Sequence, residues 1–137
     1  MAQEINLKEL DMPVKKKKGN DLRWVCNSLG LIKGRDTEST SFKIMQGLLK
    51  KSKLKPIISA EEISTLLKIE QPCVNHHLRT FVESGILVRE KRKVMLRGGT
   101  LTSAIEEMQR DSEKMFKRIL KISKEIDTRF FSDFSRK

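Results

Sequence analysis

Apolar side chains recur every three or four residues in the first part of the chain, and this spacing predicts helices. A first helix starts at Asn20 or Asp21, either of which can cap it, and ends near Gly30 and Gly34. A second helix covers about residues 40–51. The predicted core positions of these two helices are Leu22, Val25, Cys26 and Leu29, followed by Phe42, Met45, Leu48 and Leu49.

A short helix, a turn and a longer helix are predicted after a brief strand at Pro56-Ile57-Ile58. Ser59 and Glu62 have the spacing of a capping box, in which each side chain bonds to the backbone of the other residue. The short helix is predicted to bury Ile63, Leu66 and Leu67, and the turn is K-I-E-Q. The longer helix covers about residues 71–84, stops at Gly85, and has core positions Val74, Leu78, Phe81 and Val82.

The sequence I-L-V-R-E-K-R-K-V-M-L-R places apolar residues on both sides of a charged tip, which predicts a β-hairpin. Gly98-Gly99 then interrupts the chain before a last helix. Thr100 or Ser103 can cap this helix, and Ser103 with Glu106 fits a second capping box. No glycine or proline follows Thr100, so the helix can be long.

The last helix has a heptad seam, with apolar residues spaced alternately four and three apart and Ser112 as the one polar member. A helix over residues 101–130 would span roughly 45 Å, which is too long for one small domain to bury. The seam therefore packs on a second copy or folds back along Leu22, Val25 and Leu29, and a homodimer is favoured. The predicted dimer interface consists of Leu101, Ile105, Met108, Met115, Ile119, Ile122 and Ile126. Phe130, Phe131 and Phe134 add an apolar end.

The net charge of the chain indicates what kind of partner it binds. Among 137 residues there are 29 Lys and Arg against 18 Asp and Glu, a formal net charge of +11. Such an excess attracts polyanions, of which nucleic acid is the commonest and an anionic membrane surface the next. Residues 1–19, with the run Lys15, Lys16, Lys17 and Lys18, are expected to be a flexible basic arm that either orders on phosphate or stays solvated. Residues 20–99 form the domain and 100–137 the long helix.

Two distant cysteines, Cys26 and Cys73, indicate a reducing compartment rather than a disulfide framework. No stretch is apolar enough for a membrane span, and the N-terminus lacks the features of a signal peptide. The expected location is cytoplasmic, with the protein associated with the nucleoid or the ribosome.

Residues 40–97 resemble the winged helix-turn-helix of ArsR-like and MarR-like regulators, archaeal ones in particular. The resemblance rests on I-S-A-E-E-I-S-T-L-L-K-I, on V-N-H-H-L-R-T-F-V-E-S-G-I-L-V, and on the hairpin that follows. The fold class it implies is mainly α with a small β-hairpin wing, plus the C-terminal dimerisation helix. Two features depart from the family: Phe81 takes an apolar place where Leu is usual, and Glu70 stands where Ser or Thr often touches phosphate.

In such a fold the helix over 71–84 is the recognition helix and lies in the major groove. Asn75 can read adenine, Arg79 can reach guanine or phosphate, His76 can donate to phosphate, and Gln71 starts the helix. The wing is expected to contact the backbone or the minor groove, which positions the protein without reading sequence. Its predicted contact residues are Arg89, Lys91, Arg92, Lys93 and Arg97.

Other chemistry finds little support. His77 falls on the inner side of its helix and is interpreted as a packed histidine. Cys73 and His76 lie one turn apart, but no second Cys/His pair completes a metal site, so neither metal nor cofactor is expected. There is no Gly-rich phosphate loop and no Ser/His/Asp pattern, so the protein is not expected to be an enzyme. A DNA-binding regulator is the leading interpretation. A ribosome-associated factor that bridges subunits and binds rRNA or ribosomal protein is the alternative, and Glu70 together with the spread of the basic charge favours this alternative.

Overall fold

A computed structural model gives the positions of residues 2–13, 20–32 and 37–135. This part of the chain is mainly helical, with a small antiparallel sheet and a long C-terminal helix, as the sequence predicted. The elements in chain order are α1 (Asn20–Ser28), α2 (Thr37–Ser52), β1 (Ile58–Ser59), α3 (Ala60–Leu67), α4 (Gln71–Ser84), β2 (Leu87–Glu90), β3 (Lys93–Leu96) and α5 (Leu101–Ser135).

The sheet has three antiparallel strands in the order β1-β3-β2. The hairpin pairs Leu87 with Leu96, while Ile58 of β1 pairs with Val94 on the other side of β3. The hairpin and the short strand before α3 are therefore confirmed. Because side chains alternate along a strand, β3 points Val94 and Leu96 into the core and leaves Lys93 exposed.

The start of α3 forms the predicted capping box. The hydroxyl of Ser59 accepts from the amide of Glu62 at 3.1 Å, and the Glu62 carboxylate accepts from the amide of Ser59 at 2.7 Å. Glu62 also pairs with Lys55. Together these bonds lower the pKa of Glu62 from 4.5 to about 2, with the Lys55 bond the largest cause.

One apolar core joins α2, α3, α4, the sheet and the start of α5. Its fully buried members include Ile44, Met45, Ile63, Phe81 and Ile86. The prediction that Leu66 is a core residue is wrong, because Leu66 is 45% exposed. Helix α3 has only two turns, and the side chain that it directs toward α2 and α4 is that of Ile63.

The cap of α5 is Thr100 and not Ser103. The Thr100 hydroxyl accepts from the Ser103 amide at 3.0 Å, and Ser103 is already in the first turn. The capping box predicted for Ser103 and Glu106 is therefore wrong. The first turns of α5 bury Ala104 and Met108 against the body, which comprises α1 to β3. From Phe116 onward the described large apolar side chains of α5 are more than half exposed.

Residues 2–13 form neither helix nor strand and lie against the ends of two helices, and we call them the N-terminal strap. The Glu4 amide donates to the Glu83 carbonyl at 3.0 Å, and the Lys8 amide donates to the Ser28 carbonyl at 2.8 Å. Carbonyls in the last turn of a helix lack a partner within the helix, so the strap supplies donors to the C-terminal ends of α4 and α1. These contacts join residues far apart in the chain, and no local pattern in the sequence predicts them.

The strap also fits against the glycine that ends α4. Gly85 has φ +96°, and a Cβ at this position would collide with the side chain of Gln3. The Gln3 amide group donates to the Ser84 carbonyl at 3.0 Å and to the Asp111 carboxylate at 2.9 Å. Gly85 therefore stops the helix, as predicted, and also leaves room for a side chain that connects α4 to α5.

Candidate nucleic-acid interface

Helix α4 buries one face and exposes the opposite one. Val74, Leu78 and Phe81 are buried at 0–1% exposure, and they are spaced three or four residues apart. The predicted contact residues lie off this stripe, with Gln71, His76 and Arg79 exposed and Asn75 half-buried. The centre of the exposed face is therefore His76 and Arg79, and Asn75 lies at its edge.

The start of α4 is an unusual site for an anion. Glu70 is the N-cap residue, but its side chain makes no capping bond, and it is exposed. Pro72, in the first turn, has no backbone donor. The helix start therefore combines the positive end of the helix dipole with a negative side chain, so it attracts phosphate less than a helix start capped by Ser or Thr.

His77 lies on the buried face of α4, as predicted, at 4% exposure. Its Nδ1 is 2.8 Å from the hydroxyl of Ser41 on α2, which is itself buried. Burial and, to a smaller extent, the neighbouring His76 lower the pKa of His77 below 6.5. His77 is therefore a neutral side chain of the core that ties α4 to α2.

The two cysteines are free and occupy different environments. Cys26 is buried, which raises the pKa of its thiol to about 11, so the thiol stays protonated. Cys73 is exposed on α4 near His76. In the described ranges, no group of three or more His, Cys, Asp or Glu side chains could hold a metal ion.

The hairpin carries a cluster of exposed cations at its tip. Lys91 and Arg92 form the turn between β2 and β3, and Lys91 has a left-handed backbone with φ +61°. Arg89 and Lys93 flank the turn, and all four side chains are exposed. The tip therefore presents four positive charges and one nearby negative charge, Glu90, to solvent.

Arg97 stands apart from the other predicted hairpin contacts. It donates from both terminal nitrogens to Asp111, with Nη2 to Oδ1 at 3.2 Å, and lies 3.4 Å from Glu107. Hydrogen bonding to Asp111 is the main cause that raises the pKa of Arg97. Its guanidinium holds α5 to the end of the hairpin, so its charge already has two carboxylate partners within the chain.

The remaining predicted cations are Lys15, Lys16, Lys17 and Lys18, and they lie outside the described residues. Conversely, the structure exposes cations on and just after α2 that were not assigned to the site, namely Lys43, Lys50 and Lys53. The cluster of lysines at the end of α2 was visible in the sequence, but it also suited the helix dipole, so it did not indicate a binding role.

The predicted dimer residues divide into two groups. Leu101 and Ile105 are half-buried and Met108 is 2% exposed, because they pack on the chain's own body. Met115 is half-buried as well, whereas Ile119, Ile122 and Ile126 are 52–59% exposed. The first half of the seam thus already has partners in the same chain, and the second half presents its apolar side chains to solvent.

Comparison with protein-family models, curated proteins and solved structures finds no match to this chain. Among the described helices, none is both long enough and apolar enough to cross a membrane. Any functional assignment therefore rests on the side chains and their arrangement.

Proposed function

We propose that residues 40–97 form a winged helix-turn-helix and that the protein is a cytoplasmic, homodimeric DNA-binding transcription regulator. The order α3, short turn, α4 and hairpin is that of the winged-helix family, with β1 adding the third strand. The proposed role is binding rather than catalysis. The observation that carries it is the exposed polar face of α4, which leads directly into a hairpin with a cationic tip.

In this proposal α4 enters the major groove. A recognition helix reads bases with side chains opposite its core stripe, and His76 and Arg79 are exposed there. Arg79 matches guanine or a phosphate, and Asn75, at the edge of the face, matches adenine. Gln71 extends the contact at the start of the helix. The face is short, so two bodies acting together would be needed for a long operator.

The hairpin tip supplies affinity rather than specificity. Arg89, Lys91, Arg92 and Lys93 are exposed cations on a narrow projection, which suits contacts to the sugar-phosphate backbone. Backbone contacts position a protein but do not distinguish sequences. Lys15, Lys16, Lys17 and Lys18 would add to the same electrostatic attraction.

A selection from random DNA duplexes tests the assignment. The wild-type protein should enrich a motif, and Arg79→Ala or Asn75→Ala should relax it at one position, at a cost of about 1–3 kcal/mol for a good bidentate contact. Thr65→Ala, at an exposed position of α3, is the matched control and should leave the motif unchanged. Selection without any enriched motif would refute the regulator.

A salt titration separates base reading from attraction to the backbone. Replacing Lys91, Arg92 and Lys93 with Gln should weaken binding to all duplexes alike and flatten the log–log salt slope by roughly 0.9 for each phosphate that the variant no longer neutralises. Replacing Lys117, Lys121 and Lys124 of α5 removes the same charge elsewhere and is the control. Equal effects of the two triple variants would mean that only net charge matters.

The alternative is a ribosome-associated factor that bridges subunits and binds rRNA or ribosomal protein, with α4 turned toward a ribosomal protein. The observation that favours it is Glu70, an exposed acid at the start of α4 that opposes phosphate at the place where DNA-reading helices usually attract it. Glu70→Ser should strengthen duplex binding whether the protein is a regulator or a ribosome-associated factor, because it removes a negative charge from the start of α4. Co-sedimentation of the wild-type protein with ribosomal subunits, together with failure to enrich a DNA motif, would select the alternative.

A further inference from the structure

The apolar stripe of α5 continues past the body on the same face of the helix. At about 100° per residue, Met108, Ile119 and Ile126 point within about 20° of one another. Met108 is buried against the body, whereas Ile119 and Ile126 are 59% and 53% exposed. The face of α5 that the body buries in the first turns is therefore exposed to solvent in the second half of the helix.

We propose that the second half of α5 binds a second copy of the chain in antiparallel orientation, and that the end of each helix docks in a groove on the other copy's body. This inference specifies the geometry of the dimer in the proposed function and rests on that dimer. In the register that we infer, Ile119 of one helix faces Ile122 of the second copy, and Met115 faces Ile126. These pairs are symmetric about a two-fold axis that crosses each helix between residues 120 and 121.

Charge favours this orientation over the parallel one. Arg118 and Glu125 lie two turns apart on the same flank of α5, next to the stripe. In an antiparallel pair the same flanks of the two helices meet, so Arg118 of each copy faces Glu125 of the other, which gives two reciprocal ion pairs. In a parallel pair this flank meets the opposite one, where Phe116, Ser123 and Phe130 occupy the corresponding places.

The body excludes the parallel orientation for a second reason. Because each body covers the stripe around Ala104 and Met108, two parallel helices would carry both bodies into the same space between them. Antiparallel helices place the bodies at opposite ends, and each body then lies beside the end of the other copy's helix.

A groove on the body lies where that helix end would arrive. It has a volume of about 350 Å³ and is open along the side of α5. Its walls come from the N-terminal strap, the end of α1 and the first turns of α5, and they include Ile5, Leu7, Leu29, Ile105, Gln109 and Ser112. In the inferred register Phe130 of the second copy lies beside Gln109, on the flank of α5 that faces the groove. Phe130 is 61% exposed in the single chain, and Leu7, 66% exposed, would be covered with it.

Disulfide trapping tests the register. In a Cys73→Ser background, the double variant Gln109→Cys with Phe130→Cys should form covalent dimers on mild oxidation, and each single variant should not. The two positions are roughly 30 Å apart along one helix, so a bond between them must join two copies. Dimers trapped by a single variant, Gln109 to Gln109 or Phe130 to Phe130, would show a parallel pair and overturn the proposal. A double variant that is dimeric when reduced but never cross-links would overturn it too.

Charge-reversal variants test the same register without a substitution at Phe130. Arg118→Glu or Glu125→Arg alone should weaken dimerisation about tenfold, because each creates two like-charge contacts, and the double reversal should restore it. Single reversals without effect, or a double variant as weak as either single one, would contradict antiparallel pairing. Duplex binding by the full-length reversal variants is measured in parallel, so that a failed register and a failed DNA-binding function are told apart.

Discussion

Arg97 and Asp111 form a two-bond ion pair between the end of the hairpin and the third turn of α5. Their side chains are 26% and 16% exposed, and the pair also binds Gln3 of the strap through Asp111. Hydrogen bonding to Arg97 is the main cause that lowers the pKa of Asp111 below 3.8. Three separate segments of the chain therefore meet at one carboxylate, which ties α5 to the hairpin and to the strap.

Asp111→Asn should lower the free energy of unfolding by about 1–2 kcal/mol, because Arg97 and Gln3 both lose a charged acceptor. Since folding lowers the pKa of Asp111, its contribution is fully present above pH 3.8 and is lost as the pH falls through the lowered value. Urea denaturation at several pH values measures both effects. Glu107→Gln, at the edge of the same cluster, is the control and should change little.

His77 predicts a second dependence on pH. Because burial lowers its pKa below 6.5, the unfolded chain binds a proton that the folded chain does not, and stability falls as the pH drops below that value. His77→Gln should flatten this part of the stability curve, while His76→Gln, at an exposed position, should leave it in place. An unchanged slope in the His77 variant would show that another group is responsible.

The capping box of α3 should be measurable by itself. Ser59→Ala removes one of the two reciprocal bonds and should cost about 1 kcal/mol. Glu62→Gln keeps the size of the side chain but removes the charge that Lys55 and the helix dipole favour. Because the pKa of Glu62 is lowered from 4.5 to about 2, its contribution is present above pH 4.5 and disappears between these values. Thermal unfolding at pH 7 and pH 3 compares the two variants.

Two glycines with nearly equal φ angles test the contribution of the strap. Gly85 and Gly99 have φ of +96° and +95°, but a Cβ meets the side chains of Gln3 and Arg97 at Gly85 and nothing within 4 Å at Gly99. Gly99→Ala should cost about 1 kcal/mol for the left-handed conformation alone. Gly85→Ala should cost about 1 kcal/mol more, because Gln3 must leave its two acceptors. Faster hydrogen exchange at the Glu4 amide should accompany it, and equal costs would mean that the strap adds no stability.

The exposed part of the seam makes a prediction about assembly. Ile119→Glu should leave the body folded and give monomers, because it places a charge at the centre of the apolar stripe. Lys121→Glu changes the net charge by two units, against one for Ile119→Glu, but on the opposite side of the helix, and should leave assembly intact. Circular dichroism and light scattering make the comparison, and a wild-type monomer at tens of micromolar would contradict the dimer.

Local patterns accounted for most of the elements. Bonds between residues close together in the chain account for the helix over Gln71–Ser84, its stop at Gly85, the capping box at Ser59 and the hairpin. The residue pattern was therefore enough to predict them. The candidate contacts on α4 follow in the same way, because a buried stripe at 74, 78 and 81 dictates which side chains point outward. The cap of α5 was ambiguous, since Thr100 and Ser103 are both good capping residues and only the path of the chain after Gly98-Gly99 selects one.

What the sequence determined by itself was therefore local: helical faces, caps, turns and the excess of positive charge. What the tertiary structure decided depends on partners that are distant in the chain. It pairs Arg97 with Asp111, which gives one of the predicted contact cations a carboxylate partner within the chain, and it lays residues 2–13 over Gly85. It also divides a uniform seam at about Met115, because the body is only large enough to cover the first turns of α5. Periodicity specifies which face of a helix is apolar, but the size and position of the rest of the protein decide how much of that face is covered.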